Sequence, residues 1–284
     1  MAKNPFPVMK DMTVKMVREY LAKKKSIIIP IGIIEQHGYH LPLCTDALIA
    51  ENLAHLIGKK TGILAAPVMY QSFSGGELPG TINISPATMS LVISDMLISL
   101  VKQGFRNFYL LPCHGGSENT RALIDALKLL LRSNPAFEKV MLVLMPVWKL
   151  SSKGIGWRKA LEEKDWHAGW LETSMVLALE PDKVRMDELE LDKKELLEFM
   201  IAHPDNYQHA EKIVDDEMVI ARLSQRKEIK VGVMGHPEKA SAELGRKIVR
   251  DIVTNAVKKI RQLEAQADGI YKEVSFKPEP IVLD

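Results

Sequence analysis

The sequence predicts an α/β fold in which helices cover both faces of a largely parallel sheet. In the first half of the chain, four short apolar runs alternate with longer amphipathic stretches. The apolar runs are nearly uninterrupted, which is typical of strands that are buried on both faces. This repeated strand–helix order favours parallel strands, because each helix carries the chain back across the sheet.

The predicted strands are short segments rich in branched and aromatic apolar residues. The first is mostly isoleucine and is interrupted only by Pro30 and Gly32. Apolar runs of this length that are bounded by polar or glycine-containing segments predict strands. The four strands are predicted over 26–34, 63–70, 105–112 and 140–147.

Three helices are predicted between these strands. The first covers 46–60, and Thr45 is its predicted N-cap. The second covers 86–103, begins with a proline and ends before Gly104. The third covers 117–133. Each of these helices therefore connects two consecutive strands of the predicted sheet.

The second half of the chain is more helical. Helical periodicity extends over 168–179 and over 240–266. The charged segment 187–230 fits either a helical insertion or an oligomer contact. The end of the chain, 275–284, contains two prolines and is predicted to be an extended arm.

Composition excludes several classes of function. The 284 residues are 46% hydrophobic and 26% charged, an ordinary mixture for a soluble protein with a sizeable core. With 38 basic and 36 acidic residues, no basic excess indicates nucleic acid or an anionic membrane as a partner. No apolar run reaches the roughly 20 residues of a membrane span, and the N-terminus lacks a signal-peptide pattern. Only Cys44 and Cys113 are cysteines, so we expect a reducing cytoplasm and two buried thiols.

Polar clusters follow two of the predicted strands and open one of the helices. Glu35 and His37 come directly after the first strand, Asp46 opens the next helix, and His114 follows the third strand. Ligands of open α/β sheets bind just beyond the carboxyl ends of the strands. We therefore expect these side chains to converge on one edge of the sheet.

The residue types and their spacing suit a metal site. Residues two apart in an extended segment point the same way, so Glu35 and His37 are expected to face one pocket while Gln36 turns away. Nitrogen and oxygen ligands suit zinc, manganese or iron(II), and one carboxylate such as Asp46 can bridge two cations. Each pattern taken alone also fits a structural histidine or a glycine turn, so spacing leaves both interpretations open.

Five sequence blocks favour the metal site over the structural interpretations, because together they resemble the creatininase (creatinine amidohydrolase) family. The first block is long and specific, and the later blocks follow it in the order expected for the family. The blocks are IPIGIIEQHGYHLPLCTD over 29–46, LPGT over 78–81, HGG over 114–116, HAGWLETS over 167–174 and GVMGHP over 232–237.

The resemblance implies a three-layer α/β/α sandwich in which residues 1–284 form a single creatininase-like domain. It also implies a dinuclear centre that hydrolyses a C–N amide-type bond, and a ring-shaped homo-oligomer, for which we expect a hexamer. In the family pattern Glu35 and His114 resemble ligands of one ion, His37 a ligand of the other, and Asp46 the bridge. His167 resembles a residue beside the substrate that helps to transfer the proton.

The chain also departs from the family pattern. Creatininases proper have HYEN where this chain has HGGS over 114–117, so the glutamate that binds metal there is missing. Trp166 replaces a glutamate, and His236 stands where aspartate is usual. The resemblance therefore does not extend to creatinine as the substrate. The candidate substrate contacts are Gly115, Gly116, Trp166 and Trp170, although core packing explains any single tryptophan equally well.

The second ion then needs another carboxylate. Glu172, in the HAGWLETS block, and Glu118, four residues after His114, are the two candidates. We favour Glu172 and give it a catalytic as well as a metal-binding role. Glu118 is predicted to lie in the first turn of a helix, where its negative charge interacts favourably with the helix dipole.

The predicted function is a metal-dependent amidohydrolase that uses metal-activated water to hydrolyse a small-molecule cyclic amide or formamide. A non-catalytic metal- or ligand-binding protein of the same fold is the alternative. A metal-dependent phosphoesterase lacks support, because the sequence has no glycine-rich phosphate loop that leads into a helix with Lys-Ser or Lys-Thr.

Overall fold

A four-stranded, all-parallel sheet forms the centre of the computed structural model, which describes residues 8–276. Its strand order is β2-β1-β3-β4, and each neighbouring pair is parallel. The parallel sheet predicted from the sequence is therefore confirmed. The strands are β1 (Ser26–Ile31), β2 (Leu64–Ala65), β3 (Asn107–Pro112) and β4 (Met141–Leu144).

Helices cover both faces of this sheet. Helices α2, α6 and α8 pack on the face that includes Ile28 and Tyr109, whereas α3 and α4 pack on the face that includes Ile27 and Phe108. None of the helices within 8–276 is both long and apolar enough to cross a membrane. The helices are α1 (Val14–Leu21), α2 (Thr45–Thr61), α3 (Pro86–Gln103), α4 (Ser117–Ser133), α5 (Gly156–Glu162), α6 (Trp170–Leu179), α7 (Lys194–Ala202) and α8 (Ala242–Gln266).

Strand β1 shows why the sheet has helices on both sides. Its alternate residues Ile27 and Ile29 enter one core cluster, while Ile28 enters the other, and all six residues of the strand are buried. Successive side chains of a strand point to opposite faces, so an apolar strand requires a cover on each face. The predicted three-layer α/β/α architecture is therefore confirmed.

The end of β1 and the start of α2 both differ from the sequence predictions. Strand β1 ends at Ile31. The next residue, Gly32, lies against α2, since a Cβ atom on it would lie 2.3 Å from the Cα atom of Ala47. The predicted N-cap role of Thr45 is wrong. Cys44 occupies the N-cap, and the Thr45 hydroxyl instead donates a 2.7 Å hydrogen bond to the carbonyl oxygen of Pro42. The close approach of Gly32 to Ala47 places the neighbouring Asp46 against the end of β1.

The predicted strand over 63–70 is also shorter in the structure. Only Leu64–Ala65 pairs as a strand, and the chain then touches β1 once more through an isolated parallel bridge between Ile31 and Met69. Pro67 lies between these two contacts and has no N–H to donate to a ladder.

The charged segment 187–230 contains a helix and an antiparallel hairpin. Helix α7 fits the predicted helical insertion, but strands β5 (Gln208–Glu211) and β6 (Arg222–Gln225) were not predicted. The hairpin is largely exposed, so its sequence carries little of the alternation that reveals a half-buried strand. The arm predicted over 275–284 lies outside the described residues, apart from two exposed residues at its start.

Glu264 joins α8 to the sheet at the end opposite the polar clusters. Its carboxylate accepts hydrogen bonds from the Ser26 hydroxyl at 2.8 and 2.9 Å, from the Asn107 amide at 3.0 Å and from the Tyr109 hydroxyl at 2.6 Å. Ser26 and Tyr109 are buried. Removal of the carboxylate would leave several donors without partners, which is costly in a buried position.

We therefore expect Glu264→Ala to lower the free energy of unfolding by about 1–3 kcal/mol. The matched control is Gln262→Ala, an exposed position on the same helix, for which we expect a change within about 0.5 kcal/mol. Urea denaturation followed by circular dichroism measures both variants. Equal stability of the two variants would contradict a structural role for the Glu264 carboxylate.

Candidate metal centre

Five ionisable side chains meet at the carboxyl edge of the sheet. Glu35 and His37 lie on the loop that follows β1, and His114 lies two residues after β3. Asp46 lies in the first turn of α2, and Glu172 lies in the first turn of α6. All five are at least nine-tenths buried, so the fold has removed a cluster of charged groups from water.

Glu35, Asp46 and His114 form one group of possible metal ligands. Nδ1 of His114 lies 3.2 Å from Glu35 Oε2 and 3.2 Å from Asp46 Oδ2. The other ring nitrogen, Nε2, lies 3.0 Å from the carbonyl oxygen of Phe73. A backbone carbonyl that accepts from one imidazole nitrogen fixes the ring and leaves the other nitrogen as the ligand atom.

His37, Asp46 and Glu172 form a second such group. Nε2 of His37 lies 3.6 Å from Asp46 Oδ1 and 3.6 Å from Glu172 Oε2, which is too long for a hydrogen bond. Its Nδ1 lies 3.1 Å from the carbonyl oxygen of Glu35. The two groups therefore share Asp46, and each contains a histidine whose second nitrogen is oriented by a backbone carbonyl.

Unpartnered atoms in this cluster fit a metal ion. Oε2 of Glu35 and Nε2 of His37 are buried and have no hydrogen-bond partner among the described residues. Buried polar groups without partners are rare, and those that occur call for an explanation such as an ion. The donor set of carboxylate oxygens and imidazole nitrogens is also the set that zinc, manganese and iron(II) use.

The electrostatics of the cluster also favour a cation between the two groups. Burial acts to lower the pKa of His37, but the charges of Asp46 and Glu172 outweigh it and raise the pKa to about 10. The pKa of His114 is raised well above its usual value for the same reason, with Glu35 as the main charge. Burial raises the pKa of Glu172 to about 7. The carboxylates thus stabilise positive charge at both imidazoles.

His167 lies beside His37 and belongs to a third possible ligand group, with Glu35 and His37. The two imidazole rings are 4.3 Å apart between centroids. Burial and the neighbouring charge of His37 lower the pKa of His167 to about 4. Nε2 of His167 lies 2.7 Å from the carbonyl oxygen of Gln36, which holds the ring at the wall of the cavity.

The expectation that the side chain of Gln36 turns away is wrong. Its Nε2 atom lies 3.0 Å from His167 Nε2 and donates a 3.2 Å hydrogen bond to the carbonyl oxygen of Gly232. The loop after β1 is not a regular strand, so strict alternation of side chains does not apply there. Gln36 therefore contributes to the site by contacting His167.

Asp165 is a site-forming residue that the sequence analysis missed. It accepts hydrogen bonds from the backbone N–H groups of Trp170 and Leu171, at 3.0 Å each, and of His236 at 2.9 Å. It thereby satisfies the first turn of α6 and positions Glu172. An aspartate just before a predicted helix is the signal that would have indicated this role.

Asp192 was missed as well, because it lies in the charged segment that had no clear pattern. Its buried carboxylate accepts hydrogen bonds from the N–H groups of Lys230, Val231 and Gly232, the shortest of them 2.7 Å. The loop held in this way supplies the carbonyl oxygen of Gly232 to Gln36. Asp192 therefore supports the residues that contact His167.

A cavity of about 480 Å³ opens directly onto the two ligand groups. The predicted substrate contacts Gly115, Gly116 and Trp166 line it. Trp170 does not: it is 2% exposed and packs in the core on the α6 and α8 side of the sheet. The sequence could not separate these roles, because a tryptophan near the site fits core packing and a pocket wall equally well. Trp170 is therefore a core residue rather than a substrate contact.

Glu118 also lines the cavity, in the first turn of α4, but it is exposed. It belongs to none of the possible ligand groups formed by residues 8–276, whereas Glu172 belongs to one of them.

Both cysteines are free thiols. Cys113 is buried as expected, and burial raises the pKa of its thiol, but Cys44 is only partly buried.

Comparisons with known proteins identify the family of the chain. A family model described as creatinine amidohydrolase matches residues 10–260. A mycofactocin precursor peptide peptidase from Mycolicibacterium smegmatis is 27% identical over 253 residues, which cover 86% of this chain and 87% of that protein. A creatinine amidohydrolase from Pseudomonas putida is 26% identical over 181 residues, which cover 57% of this chain and 66% of that protein.

A solved structure described as "Creatininase Mn" has the same fold. It aligns with a TM-score of 0.68 and 21% identity over 90% of this chain and 97% of that chain. The family match begins before β1 and ends within α8, and so includes every segment that contributes a candidate ligand. The chain therefore belongs to the creatininase family of hydrolases.

Proposed function

We propose that this chain is a metal-dependent amidohydrolase that hydrolyses a C–N amide-type bond, in a cyclic amide or a formamide, at a centre for two divalent ions. The observation that supports it most directly is the pair of buried ligand groups that share Asp46. In each group a backbone carbonyl orients one histidine nitrogen and leaves the other beside carboxylates. Zinc, manganese and iron(II) all suit such donors.

Glu35, Asp46 and His114 would hold one ion, and His37, Asp46 and Glu172 would hold the other. When bound, divalent ions at such a centre lower the pKa of water and stabilise the oxyanion that forms on an attacked carbonyl. The protein would contribute the cavity, in which the scissile bond lies beside the buried carboxylates.

His167 is the proposed residue for proton transfer to the leaving nitrogen. It lines the cavity next to His37, and its Nε2 atom is fixed by Gln36. Glu172 is the proposed second catalytic group, since it lies at the same wall and accepts a 2.7 Å hydrogen bond from the backbone of Ala168. Both residues are held by backbone contacts, which keeps them oriented during the reaction.

We expect the purified protein to contain close to two divalent ions per chain and to hydrolyse at least one member of a panel of cyclic amides and formamides. Elemental analysis by mass spectrometry measures the first, and release of amine or formate measures the second. Removal of metal by a chelator is expected to abolish hydrolysis, and its return to restore it. Metal binding without turnover of any amide would favour the alternative, a non-catalytic binding protein of this fold.

We further propose that residues 1–284 act as one domain, since the cavity is lined by residues from Glu35 to Met234. A homo-oligomer, with a hexamer as the state that the family resemblance suggests, is part of the same proposal. The exposed apolar side chains of the hairpin, among them Ile213 and Ile220, are candidates for a contact between copies. A cytoplasmic location is proposed from the two free thiols.

A further inference from the structure

The cavity extends well beyond the two ligand groups. Its volume of about 480 Å³ lies within the range of about 300–1,000 Å³ that holds drug-sized ligands. The ligand groups supply only part of its lining, through Glu35, Asp46, His114 and Glu172. Much of the remaining lining comes from elements that contribute no candidate ligand, among them α5, α7 and the hairpin of β5 and β6.

This outer part of the cavity has an apolar and aromatic wall. It consists of Trp148, Trp157, Leu161, Met200 and Ile229. Met200 and Ile229 are buried, while the two tryptophans are partly exposed to the cavity side. Burial of apolar surface against such a wall is the main source of affinity in small-molecule sites.

Trp166 links this wall to the catalytic side of the cavity. Its indole N–H donates a 2.9 Å hydrogen bond to the carbonyl oxygen of Ile201 in α7, and its backbone N–H donates to the carbonyl oxygen of Met234 at 2.8 Å. The ring is therefore fixed next to His167 rather than free to turn. The aromatic wall and His167 therefore line the same cavity, with Trp166 next to His167 in the chain.

The charge of the lining is one-sided. Among the described residues that line the cavity, none is a lysine or an arginine. Beyond the ligand groups the lining includes the exposed carboxylates Glu118 and Asp205. Burial raises the pKa of the Tyr207 hydroxyl well above the usual range, and the charges of Glu35, then Glu118 and Asp205, add to this effect.

We propose that the outer part of the cavity is a substrate subsite for an apolar or aromatic group that is neutral or positively charged, and that it rejects a carboxylate. This inference rests on the proposed amidohydrolase function and names the substrate class of that site. An anionic group placed there would face Glu118 and Asp205, and no lysine or arginine among the described lining residues would offset their charges. A neutral ring would gain contact with Trp157 and Met200.

Four matched formamides test the subsite: N-methylformamide, N-benzylformamide and the benzyl compound with a para carboxylate or a para aminomethyl group. We expect kcat/KM for N-benzylformamide to exceed that for N-methylformamide by at least about tenfold, since single methylenes in apolar pockets give factors of that size. We expect the carboxylate to lower the benzyl value by at least about tenfold and the aminomethyl group to retain it. No gain from the benzyl group, or full tolerance of the carboxylate, would overturn the inference.

Charge reversal at the wall gives a second, independent measure. In Asp205→Lys and in Glu118→Lys we expect the ratio between the carboxylate and aminomethyl compounds to rise by at least about tenfold. Glu217→Lys, an exposed position of the hairpin segment outside the cavity lining, is the control and should leave the ratio unchanged. An unchanged ratio in both cavity variants would overturn the charge preference.

Failure of the proposed function is distinguishable from failure of the subsite. If the metal-loaded protein hydrolyses none of the four formamides, the proposed function is not supported for this substrate type. Isothermal titration calorimetry with the same compounds then ranks their affinities without any need for turnover. A preference for the benzyl and aminomethyl compounds over the carboxylate supports the subsite, and the reverse order overturns it.

Discussion

Replacement of Asp46 by alanine is expected to release both ions and to lower amide hydrolysis by about 10³-fold or more. Asp46 is the only residue shared by the two ligand groups centred on His114 and on His37, among the residues that the structure describes. One of its carboxylate oxygens lies 3.2 Å from His114 Nδ1, and the other lies 3.6 Å from His37 Nε2. Loss of this side chain therefore removes an anionic ligand from both groups at once.

The measurement is the metal content after dialysis, together with the rate on the best formamide. Glu51→Ala is the matched control, because Glu51 lies on the same helix and pairs with Lys10 outside the cavity. It should retain both ions and full activity. Circular dichroism establishes whether Asp46→Ala is folded. A folded Asp46→Ala protein with full metal content would disprove the bridging role.

The parts of the site that the sequence predicted are those in which local chemistry and position in the fold agree. Glu35 and His114 follow buried strands whose parallel order is itself readable from the sequence, so their meeting at one edge of the sheet is a consequence of the fold. Asp46 was placed correctly as well, although its helix begins one residue earlier than predicted. Local pattern and topology therefore sufficed to predict that these three side chains meet at one edge of the sheet.

The parts that were missed depend on contacts between segments far apart in the sequence. Asp192 acts on a backbone loop 38 to 40 residues later, and nothing local to it indicates those partners. The hairpin of β5 and β6 has few buried residues, so it lacks the periodicity that reveals strands. Trp170 lies in the core because α6 packs against α8, and no sequence motif indicates this contact.

The choice between Glu172 and Glu118 is the sharpest test of the second ion site. The two divalent ions of the proposed centre would bring four positive charges, and Glu35 with Asp46 would offset only two, so a further carboxylate is expected among the ligands. Oε2 of Glu172 lies 3.6 Å from His37 Nε2, and its backbone partner Ala168 holds it in place. Glu118 is exposed and belongs to neither group within residues 8–276.

We therefore expect Glu172→Gln to lose one of the two ions and to lower kcat by about 10²–10³-fold. Glutamine keeps the size of the side chain and can still accept a hydrogen bond from Ala168, so the change removes the charge and leaves the fold intact. Glu118→Gln is the matched variant, and it should retain both ions because its carboxylate lies at the outer wall of the cavity. Metal content and rates are measured for the two proteins side by side. Loss of the second ion from Glu118→Gln but not from Glu172→Gln would reverse the assignment and would make Glu118 the ligand that completes the centre.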